Sequence, residues 1–143
     1  MQEPLAAYLA AFAAVEVAVD GLFQATDDLA RLDQNAALLL LNPDFVEVLR
    51  YLAAPPISLD DLLTLANVPS LGPTAVLRDK DLTRRVLETI RAGLDPRRFP
   101  WAGAGRAPAP AERAAAVLAT TAIIATRRVE TMRRTEGKNE QEA

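Results

Sequence analysis

The residues in this chain whose type and spacing suit chemistry are arginines: Arg97, Arg98 and Arg106 around one connector, then Arg127, Arg128, Arg133 and Arg134 near the end. A guanidinium presents a planar fork of donors that matches phosphate oxygens and guanine edges, so these are the candidate DNA contacts. On a helix, Arg127 and Arg134 fall on one side, which makes a basic flank geometrically reasonable. The competing reading is a solvated face in which Glu130 and Glu136 pair locally, Glu130 with Arg134 at i,i+4. Spacing alone favours the solvated face.

Other chemistry is poorly served. The sequence has neither His nor Cys, which removes Ser-His-Asp triads, histidine acid–base work, disulfides and the usual zinc sites. Ser58 and Ser70 are the only serines and lack a histidine base. A metal-dependent nuclease needs carboxylates and a lysine converging on divalent cations. Pro43-Asp44 and Glu136-Gly137-Lys138 match fragments of that pattern, but they lie far apart in helical context. Gly103-Ala104-Gly105 is too short for a phosphate-cradling loop and reads as a turn. The catalytic residues predicted in this chain are therefore none.

The elements that must position these arginines are helical. Half of the 143 residues are apolar, much of that alanine, and aromatics make up 5%. Alanine favours helix, no strand-like alternation or internal repeat appears, and the length suits one core. The expected fold is all-α, a compact multi-helix domain with Pro/Gly-rich connectors and a long, largely buried helix over about 110–134. The net charge of −3 hides a split: residues 1–66 carry two basic against ten acidic residues, residues 67–143 fourteen against nine. That asymmetry suggests one polar surface and one anion-facing surface.

In chain order, Pro4 opens a predicted helix from about Leu5 to Gln24. Thr26-Asp27-Asp28 resembles a helix cap, with a short helix following through Leu29 and Leu32 toward Leu41. Asn42-Pro43 ends that element and Asp44 begins another helix with Phe45, Val48, Leu49 and Leu52 on one face, broken by Pro55-Pro56. Ser58 caps a two-turn helix, residues 67–73 form a loop, and Asp79 leads into an amphipathic helix through Ile90. The connector Asp95–Arg113 holds the only Trp, Trp101, with Phe99 and four of the ten prolines. Its rings are expected to pin it between the Leu82–Ile90 helix and the long Pro110 helix, leaving Arg97, Arg98 and Arg106 to face outward. Pro110 opens the long helix. The apolar run from Leu5 to Val19, interrupted by Glu16, is too short to cross a bilayer comfortably, and no secretory signal precedes it, so no membrane and a cytoplasmic location are expected.

Taken together, the series Ala25-Thr26-Asp27-Asp28-Leu29, Asn42-Pro43, Pro55-Pro56-Ile57-Ser58 with Asp61-Leu62 and Leu65-Ala66, Asp95 with Arg98-Phe99-Pro100-Trp101, Arg106-Ala107-Pro108 with Glu112-Arg113, Arg133-Arg134 and Gln141-Glu142 resembles the amino-terminal region of XamI-type restriction endonucleases. The resemblance covers most of residues 20–143, and the Phe-Pro-Trp stretch is its most specific part. It implies a type II, Mg2+-dependent enzyme cutting double-stranded DNA at a short palindrome, with a homodimer as a candidate assembly. It also implies residues 1–134 as a helical amino-terminal domain and 135–143 as the start of a missing catalytic domain. Glu142 would then assist metal binding only together with that core, and this chain by itself holds no cofactor and does not cut DNA. The alternative is a helical protein-interaction module with no nucleic-acid role.

Overall fold

In the computed structural model, which describes the backbone of residues 3–142 and the side chains of residues 3–137, eight helices and no strands are found. They are α1 (Pro4–Ala25), α2 (Ala36–Leu40), α3 (Pro43–Leu52), α4 (Leu59–Ala66), α5 (Pro73–Arg78), α6 (Lys80–Gly93), α7 (Pro100–Ala104) and α8 (Pro110–Glu142). The all-α expectation holds. The long pair α1 and α8 pack along each other, and α3 and α6 link this pair to the smaller helices. Arg113 at the start of α8 meets Asp20 near the end of α1, so the two long helices run antiparallel.

Local chemistry explains most helix starts. Proline occupies the first turn of α1, α3, α5 and α7, where its missing N–H costs nothing. Asn42, Ser58 and Asp79 accept backbone N–H groups as side-chain caps of α3, α4 and α6. The six residues of α5 and the five of α7 were not foreseen, since each hides inside a proline-marked connector.

The segment after α1 departs from expectation. Thr26 ends α1 rather than starting a new helix: its hydroxyl donates to the Leu22 carbonyl at 2.8 Å and accepts the Leu29 N–H at 3.1 Å. Asp27, Asp28 and Leu29 all adopt left-handed backbone, with φ of 50°, 54° and 77°. Such a run costs energy for residues with a Cβ and persists only when the surroundings hold it. Here Leu29 and Leu32 are drawn into the core, and the residues up to Asn35 form turns. Tertiary burial overrides the cap signal.

The core runs through every long helix. Phe23 of α1 meets Phe99 and Trp101 edge-on, with ring centroids 6.0 and 6.3 Å away, and those two rings lie 5.8 Å apart. The connector rings are pinned as expected, but their partner is α1. On α8 the buried stripe is Ala116, Val117, Thr120, Thr121, Ile124, Ala125 and Val129, while Leu118 is 57% exposed. Small and hydroxylated residues complete a stripe that large apolar residues alone do not draw. Where α3 and α6 end, Ala54 and Asp95 donate to Gly93 and Leu52 carbonyls, each at 3.0 Å. A Cβ on Gly93 would sit 3.3 Å from that of Ala53, so this close crossing favours glycine.

α1 is long and apolar enough to cross a membrane, contrary to the expectation that it is too short. Its Val15, Val19, Leu22 and Phe23 sit in the protein core, while Leu5, Leu9 and Val17 are exposed, so one face of the helix is packed and the other is not.

Candidate nucleic-acid interface

The seven predicted arginines fall into different environments. Arg98 turns inward. Its side chain is 11% exposed, its Nε donates to Asp95 at 2.9 Å, Nη1 to the Thr120 hydroxyl at 3.0 Å and Nη2 to the Tyr51 carbonyl at 2.9 Å. The guanidinium also lies 5.0 Å from the Phe99 ring centroid. Chiefly through the Arg98 hydrogen bond, the Asp95 carboxyl is held below its ordinary pKa. The outward orientation expected for Arg98 is thus corrected: it joins the connector to the end of α3 and to α8, where the Tyr51 carbonyl and the Thr120 hydroxyl accept its donors.

Arg106 and Arg128 are engaged by carboxylates. Arg106 makes a two-pronged contact with Glu112 at 2.7 and 2.9 Å across the turn into α8. Glu112 also accepts the Ala109 N–H at 2.9 Å, and these bonds lower its pKa to about 2. Arg128 reaches back to Glu47 of α3 with Nε at 3.1 Å and with Nη2, and this pairing raises its own pKa. Arg127 is half exposed, with Glu130 at 3.5 Å.

Arg97, Arg133 and Arg134 are exposed, and none has a carboxylate partner among the described residues. From Glu130 to Thr135 every residue of α8 is exposed, so this part of the helix stands clear of the body and carries Arg133 and Arg134 with it. α8 crosses the expected 134/135 boundary as one continuous helix. The Glu142 side chain lies outside the described residues.

The charge split between the two halves is partly consumed internally, which sequence reasoning missed. Arg113 bridges Asp28 at 2.8 Å and Asp20 at 3.0 Å, Arg128 binds Glu47, and Arg91 approaches Asp33 at 3.4 Å. Each pair joins the basic half to the acidic half. The asymmetry itself was the signal, read as surface when much of it is self-complementarity.

One further arginine, Arg50, was not singled out. It borders a groove of about 660 Å³ between α8 and the chain from α3 to the start of α4, with Arg127 on the opposite wall. Tyr51, Ile57, Ile123 and Thr126 line the space between them.

Metal chemistry finds no seat among the described residues, where no three acidic side chains gather closely enough to hold an ion. Asp44 sits in the first turn of α3 and Glu136 within α8, so the two nuclease-like fragments are helical segments.

Comparison with known proteins matches this arrangement to one family. The model of the family described as XamI restriction endonuclease matches residues 30–143, leaving all of α1 outside the match. The type II restriction enzyme XamI of Xanthomonas campestris pv. amaranthicola is 45% identical over 96 residues, which cover 67% of this chain and 35% of that enzyme. The chain spans about a third of the length of this curated relative. No solved structure matches. With four-fifths of its length inside the family match, the chain belongs to the XamI restriction endonuclease family.

Proposed function

We propose that this chain is the helical, DNA-contacting part of a type II restriction endonuclease, holding duplex by its backbone phosphates and acting as scaffold for the cutting centre. The observation that carries this reading is the exposed stretch of α8 from Glu130 to Thr135. There Arg133 and Arg134 stand on an exposed helix without a carboxylate partner among the described residues. Arg127 flanks them on the same helix and Arg97 extends the set from the connector. Exposed arginines on a rigid helix neutralise phosphates and release counterions, giving sequence-independent affinity that weakens as salt rises.

The described acidic residues do not fit a catalytic Mg2+, so no cutting step is assigned to them. In this reading the metal-binding carboxylates of the family lie outside this chain, and the chain acts in the cytoplasm.

The rival, a helical interaction module with no nucleic-acid role, draws support from the internal use of Arg98, Arg106 and Arg128. Fluorescence anisotropy of labelled 20-base-pair duplex DNA with the purified chain decides between them, paired with a cleavage assay in Mg2+. The expected result is binding at low salt without cleavage. Absence of binding at low salt supports the rival, and Mg2+-dependent cutting by the chain alone overturns the placement of the carboxylates.

A further inference from the structure

Five arginines are half-buried in this structure, and for four of them, Arg85, Arg98, Arg113 and Arg128, the side chains are 30%, 11%, 29% and 33% exposed. Each of these four meets a carboxylate, from Asp81, Asp95, Asp20 with Asp28, and Glu47 respectively. That is the expected state, because taking a cation out of water is costly unless an anion compensates it.

Arg50 breaks the pattern. It is half-buried, yet no carboxylate lies within 4.0 Å of it among the described residues. Its Nη1 donates to the Ile57 carbonyl at 3.3 Å, and the guanidinium carbon sits 5.4 Å from the Tyr51 ring centroid. These two contacts hold the guanidinium in place while leaving most of its five N–H donors unused. A fixed, partly desolvated cation with spare donors is a preorganised anion site.

The groove that Arg50 borders offers the rest of such a site. Arg127 faces it from α8 in a loose ion pair with Glu130, which also lines the groove and stands at 3.5 Å, so a phosphate there competes with this carboxylate for Arg127. Ile57, Ile123 and the Tyr51 ring make the walls between the two cations apolar, which suits the carbon skeleton of a deoxyribose. Arg134 projects from the same side of α8 as Arg127, seven residues and about 10 Å further on, the rise of roughly three nucleotides of B-DNA. A strand seated in the groove therefore continues toward the exposed stretch of α8.

We propose that this groove seats a phosphate of the DNA backbone, with Arg50 as its fixed guanidinium and Arg127 as the facing one. The inference rests on the DNA-contacting reading above and adds to it a residue on α3 and a path for the strand.

The test compares the full chain with Arg50→Ala, Arg50→Lys and Arg84→Ala, titrating a 20-base-pair duplex by anisotropy between about 50 and 200 mM salt. Arg84 lies on α6 in an exposed pair with Asp81 and Glu88, so its removal changes net charge equally at a distance from the groove. Thermal unfolding of each variant establishes that it is folded. The expected result is that Arg50→Ala weakens binding on the order of tenfold and lowers the salt slope by about one, while Arg84→Ala does neither. Arg50→Lys, which keeps the charge and loses the fork, falls between, and it carries the test if the alanine variant does not fold. Unchanged affinity in a folded Arg50 variant overturns the groove while leaving the DNA reading intact, and so does an equal loss in Arg84→Ala. A wild-type chain that binds no duplex overturns both.

Discussion

The indole Nε1 of Trp101 donates a 2.8 Å hydrogen bond to the backbone carbonyl of Asp28, which lies 73 residues earlier in the chain. That bond satisfies a carbonyl in the left-handed turn after α1 and fastens the connector to it. The same ring stacks edge-on with Phe23 and Phe99 and is 1% exposed. Replacing it removes a large buried side chain and a buried donor together.

Trp101→Ala is accordingly expected to lose about 3–5 kcal/mol of unfolding free energy. Trp101→Phe, which keeps a ring and leaves the Asp28 carbonyl unpaired, is expected to lose about 1–3 kcal/mol. Urea denaturation followed by circular dichroism measures both. A loss below about 0.5 kcal/mol for the alanine variant contradicts the anchor.

Asp27 tests the turn itself. It is exposed, its φ is 50°, and its approach to Arg31 at 3.9 Å is a weak surface contact. Glycine tolerates that backbone better than aspartate, so Asp27→Gly is expected to leave stability unchanged or raise it by up to about 1 kcal/mol. Were the segment a capped helix start, the same change would lower stability, and the two outcomes differ in sign.

Arg98 separates structural from DNA-facing arginines. Its donors serve Asp95, Thr120 and Tyr51 at once, and lysine cannot reproduce that planar set. Arg98→Ala and Arg98→Lys are both expected to destabilise the fold by roughly 2–4 kcal/mol. A folded Arg98→Lys chain with full stability but weakened DNA binding would show that the side chain works at the surface instead.

Acid sensitivity follows from Glu112 and Asp95. Both carboxyls titrate below their ordinary values when folded, Glu112 at about 2 against 4.5, because Arg106 and Arg98 hydrogen-bond their ionised forms. A depressed folded pKa contributes stability that is present above the unfolded value and lost as pH falls through the folded one. Unfolding midpoints are expected to decline as pH drops from about 4.5 toward 2. Glu112→Gln removes part of that slope, and a carboxyl titration by NMR that places Glu112 near 4.5 contradicts the pairing.

How much of this was legible in the sequence depends on how local each signal is. The Ser58 cap, the helix start at Asp79 and the faces of α3 and α6 depend on residues a turn apart, and they read correctly, while Asn42, taken as the end of the preceding element, caps α3. The left-handed turn at 27–29 did not, because burial of Leu29 and Leu32 and the bond from Trp101 reverse what Thr-Asp-Asp prefers alone. The arginines were the hardest to read. Which of them is spent on a carboxylate depends on pairs such as Arg128 with Glu47 and Arg113 with Asp20 and Asp28, joined only by the fold. Arg50 escaped notice for the converse reason, since nothing local marks an arginine that the fold leaves half-buried without an acid.

The most direct test of the chain as a DNA-contacting domain is the salt dependence of duplex binding by the wild type and by the double variant Arg133→Ala, Arg134→Ala. Both residues are exposed on α8 outside the core, so the double variant is expected to fold normally. The account predicts that wild-type affinity falls linearly on a log–log plot against salt, and that the double variant's slope is shallower by about two. Identical slopes in the two proteins, or no binding even at low salt, would contradict it.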